Sequence, residues 1–138
     1  MPFNQLVGIT KCDSRQDGIL ELVSGRQHLN HVGTIHAGAL YGLAEASSGQ
    51  FLADHLKEDE AKVLPVLRKA DIKYRKPAEG ALYTTSKFVE EDWDTFHETL
   101  AKKSRALISI AIEVRNQDEQ IVAMGGFDWF VMKGDTPK

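Results

Sequence analysis

Cysteine is almost absent from this chain: Cys12 stands alone among 138 residues. That excludes an internal disulfide and leaves a hydrophobic core to hold the fold, with Cys12 read as a small strand residue. A cationic excess is missing too. Lysine and arginine number 17 against 20 acidic residues, a net charge of −3, so the basic footprint of a general nucleic-acid binder is lacking. No charged n-region followed by an apolar h-region opens the sequence, and no stretch is convincing as a membrane span of roughly 20 apolar residues. Internal repeats, low-complexity tracts and linkers are also missing. Together these gaps predict one domain over residues 1–138, in the cytoplasm, with neither nucleic acid nor membrane as a partner.

What is present is concentrated in one segment. From Ala37 to Ala53 every residue is small or apolar except Tyr41, Glu45, Gln50 and the serines, which predicts a helix buried on most of its circumference. Gly38, Gly42 and Gly49 each cost a helix interior about 1 kcal/mol relative to Ala, so another backbone is expected to approach them closely. Glu45 is the odd residue. A buried carboxylate without a partner is costly, so Glu45 is either a hydrogen-bonded structural acid or a group with a raised pKa and a chemical task.

The other end of the helix favours chemistry. His36-Ala37-Gly38 falls where the first turn begins, and a helix start offers amide N–H groups without intrahelical partners, backed by the positive end of the dipole. Small residues such as Gly38 let a ligand oxygen come close, whether of a phosphate or of a carbonyl gaining charge during acyl transfer. Nine residues separate His36 from Glu45, a rise of roughly 13 Å. One helix cannot bring both to the same bond, but two antiparallel copies about a two-fold axis can, which makes a homodimer part of the functional prediction.

The spacing of Asn30, His36, Ala37, Gly38 and Glu45, N-x5-H-[AG]-G-x6-[ED], resembles the signature of the hotdog-fold acyl-coenzyme A thioesterases, in particular the phenylacetate-pathway type. The resemblance covers most of the chain. It implies an α+β hotdog fold, an antiparallel β-sheet wrapped around a long central α-helix. It also implies hydrolysis of an acyl-CoA, with coenzyme A entering as part of the substrate and no separate cofactor or metal. In that family the N–H matching Ala37 polarises the thioester carbonyl, and the acid matching Glu45 reaches in from the partner subunit as nucleophile or general base. The asparagine matching Asn30 helps hold the attacking water or the carboxylate, and the histidine matching His36 shapes the helix start. The family more often has His-Gly-Gly where this chain has His-Ala-Gly, a change that keeps the N–H. A serine or threonine found on a later strand of many members has no clear match at Leu67, Arg68 or Lys69.

The remaining segments suit that fold. Gly8–Cys12 and Ile19–Val23 read as a short strand pair, and Ser24–Thr34 as a long loop delivering Asn30 to the helix. His28, His31 and His36 follow no standard zinc spacing. Asp54–Lys62 is expected to be a solvated helix end. Residues 63–76 alternate, with Val66, Ala70, Ile72 and Tyr74 on one face, and Lys69, Asp71, Lys73 and Arg75 on the other. Arg68 falls on the apolar face, either paired with a carboxylate or at the sheet edge. Lys73, Arg75 and Lys76 form the densest basic patch: a solvated strand face, or a cradle for the phosphates of coenzyme A.

Ala81–Val89 reads as strand, and Glu90–Asp94 as an acidic connection. Thr95-x-x-Glu98 is a capping-box pattern, which predicts a short helix over Phe96–Lys103. Arg105–Arg115 is strand, with Ala106, Ile108, Ile110, Ile112 and Val114 on one face, and Gln120–Met132 is the last strand. Gly125-Gly126 within it predicts a bulge or bend, and the tail from Lys133 is expected to be loose.

Three functions fit: thioester hydrolysis; hydration or dehydration of an acyl thioester, which in related enzymes uses an aspartate before the helix that this chain lacks; and a non-catalytic acyl-CoA-binding module. The acyl pocket is expected between the two central helices, lined by Tyr41, Phe51 and partner residues, with dimer or dimer of dimers left open.

Overall fold

In the computed structural model, which describes residues 1–60 and 62–134, six strands form one antiparallel sheet in the order β1-β2-β4-β5-β6-β3. The strands are β1 Ile9–Lys11, β2 Leu20–Val23, β3 Val63–Tyr74, β4 Ala81–Thr85, β5 Arg105–Arg115 and β6 Ile121–Lys133; the helices are α1 Pro2–Val7, α2 Ala37–His55 and α3 Glu90–Lys103. The sheet curls round α2, the arrangement expected of this sequence.

Alternation in β5 decides the core. Ala106, Ile108, Ile110, Ile112 and Val114 are all buried, while the residues between them are exposed or half-buried. Burial of each isoleucine or valine contributes roughly 1.5–3 kcal/mol. Two hydroxyls inside this core are fully bonded. Ser47 Oγ donates to the Leu43 carbonyl (2.7 Å) and meets Thr84 Oγ1 at 2.6 Å, and Thr84 Oγ1 accepts from the Leu20 N–H at 3.2 Å.

Several expectations are corrected. Helix α2 runs to His55, beyond the expected Ala53, and its exposed remainder is one face: Leu40, Leu43, Ala44 and Leu52 face the sheet, while Glu45, Ala46, Gly49, Gln50 and Ala53 form a face the chain leaves partly open. Among the described residues no backbone from elsewhere in the chain approaches its glycines. The nearest atoms to a Cβ at Gly49 and Gly42 belong to the Trp129 and Phe3 rings, at 3.4 and 3.9 Å, and at Gly38 to the His36 ring. Residues 2–7 form α1, which opens on Pro2 and closes on Gly8 in the left-handed region (φ 89°), both positions these residues favour.

The predicted face assignment along β3 fails at Arg68. Pairing with β6 slips between Leu67 and Lys69, so the side that points inward changes from odd to even numbers there. Leu67, Ala70 and Ile72 are half-buried and Val66 is exposed. Arg68, at the bulge on this edge strand, lies over the Phe130 ring at 5.6 Å. The Gly125-Gly126 pair makes no bulge, since pairing is continuous on both sides. Gly125 serves a close approach instead: a Cβ there would lie 2.6 Å from the Asp71 carbonyl oxygen.

Strand β4 stops at Thr85, and α3 begins at Glu90 rather than Phe96, so Thr95 is interior and caps nothing. Trp93, Phe96 and Leu100 set its buried face, with Glu90, Glu91 and Asp92 in the first turn and Lys102 and Lys103 in the last, as the helix dipole favours. The supposedly solvated segment after α2 buries Glu60, which binds His97 Nδ1 at 2.7 Å and accepts the Lys57 N–H at 2.8 Å. Of the tail expected to be loose, residues 135–138 lie outside the described residues.

Candidate active site

The loop before α2 is tightly organised. The Asn30 carboxamide oxygen accepts the N–H groups of Val32 (3.0 Å) and Thr34 (3.1 Å), its Nδ2 donates to Thr34 Oγ1 (2.9 Å), and Gly33 takes a positive φ of 83° to close the turn. Leu29 and Ile35 bridge across it. His28 is buried, its Nδ1 accepting the Gly25 N–H at 2.8 Å and its Nε2 facing the Val7 carbonyl. His31 is exposed on the loop. Asn30 therefore shapes the entry to the helix through its own turn, an Asx arrangement that side chains of its length favour.

His36 is the N-cap of α2. Its Nδ1 accepts the Gly38 N–H at 2.7 Å, and its carbonyl accepts the N–H groups of Ala39 (2.9 Å) and Leu40 (3.2 Å). The Ala37 N–H is left over: at the first helical position it has no intrahelical acceptor, and among the described residues no loop or side-chain acceptor takes it. Ala37 borders a cleft of about 360 Å3 that is also lined by Asn30, Tyr74, Arg75 and Lys76, among others. A free amide at a helix start, with Lys76 and Arg75 among the bordering residues, suits this cleft to an anionic or carbonyl-bearing ligand; the Arg75 guanidinium itself lies against Met124 Sδ at 3.7 Å, a residue that lines the trough on the outer face.

Tyr74 is the residue that sequence reasoning missed here. Assigned to an apolar strand face, it is about half exposed, with its hydroxyl donating to the Ala37 carbonyl at 3.2 Å. Burial, with a smaller contribution from neighbouring Tyr41, holds its phenol above the ordinary tyrosine pKa and keeps it a donor. Lys73, by contrast, is not part of the cleft. It lines a trough of about 500 Å3 on the outer face of the sheet with Asp71, Lys87 and Glu113, because alternation sends 73 and 74 to opposite sides. Tyr41 also lies outside the cleft, edge-on to the Phe127 ring at 6.1 Å, and Phe51 packs against His55 and Trp93.

Glu45 occupies a second cleft, a groove of about 610 Å3 between the open face of α2 and the sheet edge, with Leu52, Leu56, Leu67 and Trp129 among its walls. The carboxylate is half-buried, and among the described residues no cation or donor pairs with it. Loss of solvent pushes its pKa above the ordinary glutamate value. A hydrogen-bond relay sets the wall beside it: Trp129 Nε1 donates to Ser48 Oγ at 2.9 Å, and Ser48 Oγ donates to the Glu45 carbonyl at 2.7 Å. Within one chain, Ala37 and Glu45 thus face different cleft spaces, as the length of helix between them requires.

The fold is that of the hotdog proteins. A Pseudomonas aeruginosa protein of unknown function described as a probable thioesterase is similar over 96% of this chain and 87% of its own, at 22% identity and a TM-score of 0.78. A Bacillus halodurans protein solved with CoA matches over 96% and 76%, at 22% identity and a TM-score of 0.71. The Escherichia coli PaaI protein from the phenylacetic acid degradation operon matches over 97% and 86%, at 15% identity and a TM-score of 0.67. No curated protein sequence matches the chain. Residues 14–131 match the family described as a domain of unknown function, DUF4442, and the chain belongs to that family. None of the described helices is long and apolar enough to cross a membrane.

Proposed function

We propose that this protein hydrolyses acyl-CoA thioesters as a homodimer whose two sites each combine the helix-start cleft of one subunit with Glu45 of the other. The observation that carries the reading is the division of labour along α2: a free N–H flanked by Arg75 and Lys76 at its start, and an unpaired carboxylate of raised pKa farther along. Each half lacks what the other holds. An antiparallel pair of α2 helices brings the Ala37 N–H of one subunit to Glu45 of its partner. The thioesterase-like hotdog neighbours, one of them solved with CoA, support the same substrate class.

In this mechanism the thioester carbonyl accepts from the Ala37 N–H, which stabilises the oxyanion as it forms. Glu45 takes a proton from water while the water oxygen bonds to the carbonyl carbon. The C–S bond then breaks, the acid is released, and the proton passes from Glu45 to the thiolate of coenzyme A. Direct attack by the Glu45 carboxylate, followed by hydrolysis of the anhydride, uses the same geometry. Arg75 and Lys76 hold phosphates of the CoA moiety, His36 and Asn30 hold the helix start in place, and no further cofactor is needed. The test is thiol release from a panel of acyl-CoA esters by wild type, Glu45→Gln and Glu45→Ala. Loss of turnover with dimer and fold intact supports the reading; an active Glu45→Ala protein ends it.

The commitment of both ends of the Asn30 carboxamide to its own loop favours a second reading, a non-catalytic acyl-CoA-binding module. Tight binding with no thiol released from any ester identifies that case.

A further inference from the structure

The groove beside Glu45 has a direction and a width. From Glu45 it follows the open face of α2 to Leu56, a run of roughly 16 Å along the helix axis. Its walls include Leu52, Leu56, Leu67 and the Trp129 ring, with Asn4 and Gln50 as neutral polar groups and Met1 also on its border, and among the described residues no lysine, arginine or histidine side chain lines it. At its middle stands Gly49. A Cβ placed there would lie 3.4 Å from Trp129 Cζ2, so a methyl group just touches the indole and any larger side chain fills the passage. The indole is not free to swing aside, since its Nε1 is tied to Ser48, and Ser48 to the turn that carries Glu45.

We infer that this groove receives the acyl group, running from Glu45 towards the C-terminal end of α2, and that Gly49 opposite Trp129 sets which acyl groups pass. The inference rests on the thioesterase reading for what the bound ester undergoes, not for where it binds. The substrate class it names is thioesters of extended or aromatic, uncharged acyl groups. Short acyl groups leave apolar wall uncovered, and acyl groups ending in a carboxylate meet Glu45 in a groove where, among the described residues, no cationic side chain receives them.

The experiment compares wild type, Gly49→Ala and Gly49→Leu on acetyl-, hexanoyl-, dodecanoyl- and succinyl-CoA, reading kcat/KM by thiol release and affinity by calorimetry. Wild type is expected to favour dodecanoyl over acetyl by at least tenfold, since the longer chain covers apolar wall that acetyl leaves wet, and to disfavour succinyl. Gly49→Leu is expected to lower the dodecanoyl-to-acetyl ratio by about tenfold, the scale on which pocket-filling groups discriminate. Gly49→Ala moves the ratio the same way by less, and carries the test if the leucine variant does not fold, because Ala is the better helix former. Equal treatment of all chain lengths by wild type, or a parallel loss on every ester in the Gly49 variants, overturns the inference. If wild type releases no thiol but binds dodecanoyl-CoA in preference, and Gly49→Leu loses that preference, the groove assignment stands and the hydrolytic reading falls.

Discussion

At the start of α2 the protein offers an amide and a phenol around a shallow cleft open to water, with Arg75 and Lys76 on its border. Farther along the same helix it offers a lone carboxylate against leucine and tryptophan walls. The first environment suits a charged, hydrated ligand head; the second suits an apolar tail and raises the basicity of the acid beside it. A helix keeps these two surroundings apart by its own rigidity. That separation lets one short chain supply both halves of a site, provided that a second copy returns them to each other.

Each prediction sets the two regions against one another. The largest effect is expected from Glu45→Gln, with turnover lowered by about 100-fold or more, the usual contribution of a positioned base, as read by thiol release alongside sedimentation to confirm the dimer. Next comes Ala37→Pro, which deletes one N–H at the helical position where proline is best tolerated, after a residue already extended (His36 ψ 139°). It is expected to lower kcat by about 100-fold, whereas Ala37→Gly keeps the N–H and most of the rate.

Mixing those two defective chains tests whether sites are shared. In random dimers of Glu45→Gln with Ala37→Pro, half of the sites in each heterodimer are intact, so about a quarter of wild-type activity returns. Sites contained within one chain give no recovery. A smaller effect is expected at the basic flank: Arg75→Ala with Lys76→Ala raises KM by about tenfold and flattens the salt dependence of kcat/KM, while Lys73→Ala on the outer face changes KM less.

The smallest effect concerns stability. Because burial raises the Glu45 pKa, the folded state favours the protonated acid. Its contribution to stability is greatest below the ordinary glutamate value and is lost as pH rises through the raised one. Glu45→Gln should therefore melt at a higher temperature than wild type at neutral pH, with the gap closing on acidification. Activity carried by the carboxylate should have its acid limb above the ordinary glutamate pKa. Equal melting curves at every pH would place Glu45 in ordinary solvent.

Patterns that repeat were legible in the sequence, and single departures were not. Five alternating apolar residues in β5 and the unbroken run of α2 specify their elements because each position repeats the same demand. One extra residue at Arg68 reverses the faces of half of β3, and alternation has no means of announcing a bulge. Helix α3 was half legible: the capping pattern at Thr95 competed with the better evidence of Trp93, Phe96 and Leu100 at helical spacing. Of the basic trio, Arg75 and Lys76 border the cleft at the helix start and Lys73 does not, while the Arg75 guanidinium meets Met124 on the trough side, since proximity in sequence does not determine the side of a sheet.

The Trp129–Ser48 hydrogen bond also makes the groove observable. The chain has two tryptophans; Trp93 is buried in the aromatic stack of α3, and Trp129 forms the groove wall. In a Trp93→Phe protein the remaining indole is fixed in orientation and borders the space where a ligand tail would lie. Its emission then gives an unlabelled optical signal for occupancy of that space, independent of whether any bond is cleaved.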